Sequence, residues 1–375
     1  METENVAPSE KRGLVVSFPS LGLMGALDLE EAVLATITFK WREIGTKRRL
    51  IGIPNEAMKD LHKRFKVFLD LAVESVEGMG SYKNSCLLKD LPSATGGVAG
   101  SNHFVNASKH QRKQHFYITD FARAYQSLDL ERLTTLLVFI FRYEYYRVDY
   151  TFLSFVHNTS TQATLKMDPL YESVYSFVRF AFGGRYGEGL AIGGPLSTQL
   201  LNLYCEAYLD VWIREYCQKK YDQKNPDTEI VYTRFVDDLV FSSDRFLFST
   251  TRKELRKMIG FAGFSVNHRK SRVLSRGKGG VKVTKVGLEG GEASAVISFP
   301  KKKRKRLEHL VKTFLIGRLQ EKRFELISGV MAEFLYYYKQ VTPTKSDCRT
   351  KALCERFKKE TESFPKLFQN RRKNN

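Results

Sequence analysis

Three aspartates in this chain could do chemistry together: Asp120 and the adjacent pair Asp237-Asp238. Carboxylates held on rigid strands bind divalent cations. Two such cations about 3.5–4 Å apart clamp the attacking and leaving oxygens of a phosphoryl transfer. The pair lies in Val231-Tyr-Thr-Arg-Phe-Val-Asp-Asp-Leu-Val-Phe-Ser-Ser243, where an alternating run of β-branched and aromatic residues reverses. That pattern predicts a β-hairpin over 231–243 with the acids at its tip. By itself an Asp-Asp dipeptide is an ordinary solvated turn. Asp120 changes the reading, because it closes a second short strand, Phe116-Tyr-Ile-Thr-Asp120, and carboxylates from separate strands can converge on one site.

Other elements must place these strands. Residues 26–35 read as helix, and Thr36–Trp41 as extended chain followed by a basic turn, Thr46-Lys47-Arg-Arg49. Leu50–Ile53 is extended and closed by Pro54, and Asn55 is the expected N-cap of a helix running to about Val73. Residues 91–102 form a Gly-rich loop, Leu128 to about Tyr146 an aromatic helix, and 156–168 a polar, turn-like stretch. A further helix precedes Gly183–Gly189. Ser197–Cys217 reads as one long helix with Leu200, Leu203, Ala207 and Val211 on a single stripe. The helix Arg252–Phe261 follows the hairpin, short strands with Gly turns occupy 264–300, and basic helices begin at Lys301. An acid-bearing strand, a Gly-Gly-Pro turn opening a helix, and an acid pair on a later hairpin together suggest a nucleotidyl-transferase palm.

Composition narrows the partners. The chain has 375 residues, enough for two or three subdomains, with 61 Lys and Arg against 41 Asp and Glu, a net charge of +20. A polyanion is the usual reason for such an excess, since each neutralised phosphate releases counterions. The 18 Tyr and 27 Phe supply rings for the core and for stacking on bases. No apolar run is long enough to span a membrane, and the basic residues are spread along the chain, which favours nucleic acid over a lipid surface. Five cysteines without Cys-x-x-Cys spacing indicate neither a zinc site nor a disulfide framework. With an acidic, polar N-terminus, a cytoplasmic protein is expected.

Over roughly residues 40–310 an ordered series of motifs resembles the bacterial reverse transcriptases of the retron and related antiphage-defence groups. Lys47-Arg-Arg49 with Pro54 resembles the fingers motif that contacts the incoming triphosphate, so the resemblance assigns Lys47 and Arg49 to nucleotide binding. Asn106-Ala-Ser-Lys-His110 resembles an Asn-Ala-x-x-His element, which implies nucleic-acid contact by Asn106 and His110. A buried histidine satisfying backbone groups is an equal reading of His110. Tyr117-Ile-Thr-Asp120-Phe-Ala-Arg-Ala-Tyr125 resembles motif A, with Asp120 and the Phe121 carbonyl as metal ligands and Tyr125 as a steric gate against a ribose 2′-hydroxyl. Leu190-Ala-Ile192-Gly193-Gly-Pro195-Leu-Ser197-Thr-Gln-Leu-Leu-Asn202-Leu resembles motif B, placing Ile192 and Gly193 beside the template and the new base pair. Phe235-Val-Asp237-Asp238 resembles motif C, and Gly263-Phe-Ser-Val-Asn267-His-Arg-Lys270 resembles motif D, where Lys270 would donate a proton to pyrophosphate. Val283–Leu288 falls where a primer-grip hairpin is expected. The run Lys301, Lys302, Lys303 and Arg304 reads as phosphate contact at the start of a thumb.

The resemblance implies an α/β (α+β) right hand: fingers and palm over 1–295, the palm an antiparallel sheet backed by helices, and an α-helical thumb over 296–375. The implied cofactors are two Mg²⁺ ions, with Mn²⁺ as a substitute. The implied partners are dNTPs, a noncoding RNA template and its DNA product, with a toxin or effector and a homo-oligomer as further partners. Some positions depart from the pattern. Ile192 stands where motif B usually carries Gln, Phe235 replaces the usual Tyr of motif C, Val283-Thr284-Lys285 replaces Val-Thr-Gly, and the 129–189 spacing implies an insertion near 141–180. Loss of the Gln amide motivates a second reading, template-independent or protein-primed DNA synthesis. A third is an idle RNA-binding scaffold, against which the intact clustered carboxylates count, since they repel one another.

Overall fold

The computed structural model describes residues 35–44, 47–76, 90–142, 159–276, 280–289, 296–299, 301–316, 324–340 and 345–361. Residues 26–34 of the helix expected over 26–35 and the aromatic residues 143–146 lie outside these. The fold is mixed α/β, with helices around small sheets. It divides into two compact units: the described residues up to Asn102 together with Phe116–Val273, and His103–His115 together with those from Leu274 onward. The division therefore falls earlier than the expected 295/296 boundary. The short strands after Leu274 group with the basic helices.

The first unit opens with an antiparallel hairpin, β1 (Ile37–Ile44) and β2 (Lys47–Pro54). Asn55 then caps α1 (Glu56–Ser75): its Oδ1 accepts from Met58 N at 2.9 Å and from Thr36 N at 3.1 Å, tying the helix start to the hairpin. Met58, Leu61, Phe65, Leu69 and Val73 form the buried stripe of α1 at spacings of three and four. The strand β3 (His115–Ala122) and a single turn, α3 (Ala124–Ser127), lead to α4 (Leu130–Phe141), whose residues from Leu133 to Ile140 are all buried. Residues 159–166, expected to be turn-like, form a helix, α5 (Thr159–Lys166). The Ser/Thr-rich stretch is helical because Leu165 is buried and Lys166 pairs with Glu131 at 2.6 Å. Next comes α6 (Pro169–Phe182), capped by Asp168 with Pro at its first turn, which packs on α4.

The expected long helix is real but is not uniform. It runs as α7 (Ser197–Cys205), a π-helical segment Glu206–Asp210, and α8 (Val211–Lys220). The predicted hairpin forms as β4 (Val231–Phe235) and β5 (Asp238–Ser243), paired from Val231↔Ser242 to Phe235↔Asp238. After α9 (Ser249–Phe261) come β6 (Ser265–Val266) and β7 (Arg272–Ser275). The central sheet has the order β4-β5-β3-β6, with β7 also pairing β3.

In the second unit α2 (His103–Lys109) packs on a sheet ordered β10-β9-β8, made of β8 (Val281–Val283), β9 (Val286–Glu289) and β10 (Val296–Ser298). The hairpin expected around Val283–Leu288 is present, and its turn residues Thr284 and Lys285 have φ of 41° and 76°. Three helices, α10 (Lys301–Leu315), α11 (Phe324–Gln340) and α12 (Lys345–Thr361), pack on one another. The Tyr337 hydroxyl donates to Ile297 O at 3.0 Å and fastens α11 to β10. No helix among the described residues is long and apolar enough to cross a membrane.

His110 follows α2 and is fully buried, and desolvation holds its pKa down at about 3. Above the ordinary histidine value of 6.5 it is neutral in both the folded and the unfolded chain and contributes no pH dependence. As pH falls below 6.5, the unfolded chain takes up a proton that the folded chain refuses, so stability is lost down to about 3. Urea melts at pH 7.5 and pH 5 are expected to differ by ~2 kcal/mol from this residue. His110→Asn should remove that part of the slope.

Candidate active site

Asp120, on β3, and the tip of the β4–β5 hairpin meet in the central sheet. Phe121 N donates to the carbonyl of Asp237 at 3.0 Å, joining the strand of the first acid directly to the turn that carries the second. Asp120 is 2% exposed. One of its carboxylate oxygens, Oδ2, is paired with the Lys270 ammonium, while the other, Oδ1, is buried and has no hydrogen-bond partner. Lys270 is aimed at it by a turn anchored on β3: Asn267 N donates to Asp120 O at 2.9 Å, and the Ser271 and Thr119 hydroxyls are 2.8 Å apart. Burial raises the pKa of Asp237 above the ordinary carboxylate value, and the charge of Asp120 raises it further. Asp238 opens β5 and is half-buried.

These features fit a divalent cation. An unpaired buried carboxylate oxygen and a second carboxylate whose charge is disfavoured are both relieved by a cation between them. Among the described residues no group of three or more His, Cys, Asp or Glu side chains is gathered to hold an ion alone. Mg²⁺ does not require such a cage, since it binds through one or two carboxylates, waters and substrate phosphates.

The hairpin tip is held from below by groups that the strand patterns did not single out. Val236 has φ +59°, an outlying conformation for a β-branched residue, and such strain persists only where neighbours enforce it. Arg234, fully buried, enforces it here. Its Nη1 donates to Val236 O at 3.1 Å and to Asn202 Oδ1 at 2.8 Å, and its Nη2 donates to Asp210 Oδ2 at 2.7 Å. Tyr232 donates its hydroxyl to Asp210 Oδ1 at 2.7 Å. The Gly-rich loop lies along the same tip: Thr95 N donates to Arg234 O and Arg234 N to Ser93 O, each at 2.8 Å. A Cβ on Gly96 would come within 2.7 Å of Val236 N, so only glycine permits this approach.

The positions that the sequence resemblance assigns to nucleotide contact also lie in this unit. The Tyr125 hydroxyl lies 2.8 Å from Thr198 Oγ1, and burial raises its pKa. Arg49 is exposed on β2, near enough that its charge lowers the pKa of both Asp237 and Tyr125. Ile192 accepts from Gly52 N at 2.8 Å through its carbonyl, which seats the motif-B turn on β2. Gly193 has φ +95°, and a Cβ there would lie 2.6 Å from Ile51. Lys47 begins β2, and its side chain lies outside the described residues.

The remaining expected contacts read differently. Asn106 and His110 are fully buried, with the Asn106 amide donating to Thr284 Oγ1 at 3.0 Å, so neither has surface to offer nucleic acid. Of the basic run, Lys301 and Lys302 are exposed. Lys303 is paired with Glu333 at 2.6 Å and Arg304 with Asp347 at 3.0 Å, so these two brace the helices instead of lying open to phosphate.

The residues missed in sequence were Arg234 and Asp210, while Thr198 and Asn202 lay within the motif-B run without a role assigned to them. Arg234 was the available signal: an arginine at an inward position of an alternating strand requires a buried acid. Arg234→Met should destabilise the fold by about 3–5 kcal/mol, because Asp210 is then buried without a counter-charge. The double variant Arg234→Met/Asp210→Leu should recover most of that in denaturant melts, although the guanidinium contact that holds the Val236 carbonyl is then lost.

No protein-family model matches the chain, and no curated protein matches it. Among solved structures it is similar to telomerase from Candida albicans in complex with a TWJ fragment of telomeric RNA, with 14% identity over 87% of this chain and 61% of that one, at a TM-score of 0.45. It is similar also to apo telomerase from Candida tropicalis, with 13% identity over 87% of this chain and 58% of that one, again at 0.45. The chain thus spans less than two thirds of the length of either. Likeness at this level leaves the chemistry of the site to its own residues.

Proposed function

We propose that the protein is an RNA-directed DNA polymerase, a nucleotidyl transferase working at Asp120, Asp237 and Asp238. The observation that carries this reading is the meeting of Asp120 with the strained Asp237 turn, where one buried carboxylate oxygen is left unpaired. Asp120, the Phe121 carbonyl, Asp237 and Asp238 would hold Mg²⁺ or Mn²⁺. When bound, the ions supply Lewis acidity that lowers the pKa of a primer hydroxyl and stabilises pyrophosphate. The chain's own residues do the rest. The braced hairpin keeps the acids from moving, Arg49 faces the anionic triphosphate from β2, and Lys270 sits beside Asp120, ready to move to the leaving group and give up a proton. Tyr125, fixed through Thr198, would stand under the sugar and exclude a 2′-hydroxyl.

In this reading β1–β2 belongs to the fingers, the central sheet is the palm, and α10–α12 form the thumb. The template would be a dedicated noncoding RNA, the setting antiphage defence in the cytoplasm, with an effector and further copies of the chain as partners. Ile192 favours one competing version. Its side chain has no amide to hydrogen-bond a template base, as untemplated or protein-primed synthesis would allow. The two versions separate by sequencing the DNA made from labelled dNTPs by protein that keeps its co-purified nucleic acid. Complementarity to a bound RNA supports templating, and random or homopolymeric DNA sinks it.

Asp237→Asn tests the acid site in two ways. Incorporation should fall by roughly 10³-fold, the ~4 kcal/mol that one charge contact supplies in a water-poor site. A raised folded-state pKa means this group's contribution to stability is present below the ordinary carboxylate pKa and is lost as pH rises through the folded value. The neutral amide should therefore melt higher than the parent at neutral pH in EDTA, and added Mg²⁺ should stabilise only the parent. Tyr125→Ala should raise the use of ribonucleotides relative to dNTPs by roughly tenfold or more in competition assays.

A further inference from the structure

A second concave surface shares no residue with the acid site. A cleft of about 600 Å³ opens between α8 and α9, with Arg132 of α4 and Gln162 of α5 on its rim. Its floor is aromatic: Tyr208 is buried, and Trp212 and Tyr216 are half-buried. These three residues follow one another at intervals of four, so their rings rise along one helical face by ~6 Å each. Opposite them stand Met258 and Phe261, the latter 78% exposed at the end of α9. Phe261 thus offers most of its ring to whatever enters the cleft beside Trp212 and Tyr216.

Charge decides among occupants. The Arg132 guanidinium lies over the Tyr208 ring at 5.8 Å and donates to Phe261 O at 2.7 Å, joining both walls. Lys219 is 78% exposed at the rim, and Lys220 Nζ stands 5.6 Å from the Tyr216 ring centre. Among the described lining residues Glu215 is matched by Lys219 at 3.6 Å, and Asp129 lies 3.7 Å from Arg132 Nε, so Arg132, Lys219 and Lys220 together still leave the cleft positive. A second copy of this chain docking face to face would set these cations against themselves. Helical walls present no strand edge on which an extended peptide could pair. Aromatic faces within reach of lysine and arginine suit unpaired bases with their phosphates.

We infer that the α8–α9 cleft is a binding site for single-stranded nucleic acid, stacking one or two bases between Trp212, Tyr216 and Phe261 while Arg132, Lys219 and Lys220 meet the phosphates. The site needs no polymerase activity.

The chain has two tryptophans, and Trp41→Phe leaves Trp212 as the sole indole reporter. Full-length Trp41→Phe protein is titrated with oligo(U), oligo(dT), UMP and an acidic aromatic peptide, and Trp212 emission is followed. The inference expects saturable quenching by the oligonucleotides, far weaker binding of UMP, and none of the peptide. Phe261→Ala should weaken oligonucleotide affinity by about tenfold, the stacking contribution of one ring. Lys219→Glu should weaken it too and lower the slope of log affinity against log salt by about 1. Both positions are exposed, and unchanged circular dichroism shows that the variants fold. No quenching by oligonucleotide, equal affinity for UMP, insensitivity to both substitutions, or quenching by the peptide instead each overturns the site. Nucleotide incorporation on a short primer-template should be unaffected by Phe261→Ala, so failure here is separate from failure of the polymerase reading.

Discussion

The buried ion pair between Arg234 and Asp210 is the constraint on which the acid site rests. An arginine with no solvent exposure is tolerable only when its charge and donors are matched, and here Asp210, Asn202 and the Val236 carbonyl match them. The coupling runs both ways. The guanidinium holds the turn before Asp237, and Asp210 fixes the guanidinium from the helix beneath the sheet. The hairpin tip thereby takes its position from the deep core of the unit and not from its own two-residue turn. Tyr232 adds a second contact to the same carboxylate, so the strand is held at alternate residues.

Strain and close packing then do local work. Val236 is held at a positive φ, and the loop glycine beside it allows main chain to lie against main chain. A softer tip would let the two acids separate, since their mutual repulsion and the desolvation of Asp237 both favour separation. The core resists that motion. Lys270 supplies a counter-charge to Asp120, which makes a site of buried acids tolerable.

Much of this was legible in sequence wherever one periodicity ruled. The 231–243 alternation, the Asn55 cap and the stripe of α1 each follow from spacing and side-chain type alone. The α5 helix was missed because its Ser/Thr content suggested a turn, whereas a single buried leucine and an ion pair to α4 decided the matter. Asn106 and His110 look like surface contacts in a motif, yet burial depends on what packs over them, and β8–β9 lies far off in sequence. The basic run at 301–304 has the composition of a phosphate grip, but acids more than 25 residues downstream claim two of its four charges. Partner choice across such separations is set by tertiary structure and cannot be read from local pattern.

The π-helical segment Glu206–Asp210 has a consequence for how this chain can change. A wider turn holds one residue more than an α-turn, so it is the place where a single deletion could be absorbed as regular helix. Such a deletion would leave the residues beyond it in their present orientation, whereas one made in α7 would rotate everything after it by ~100°. A gap in α7 would swing Asp210 away from the arginine it holds and turn Trp212 and Tyr216 out of their cleft in the same movement. The surplus residue thus gives this helix one place where its length can change without changing its phase.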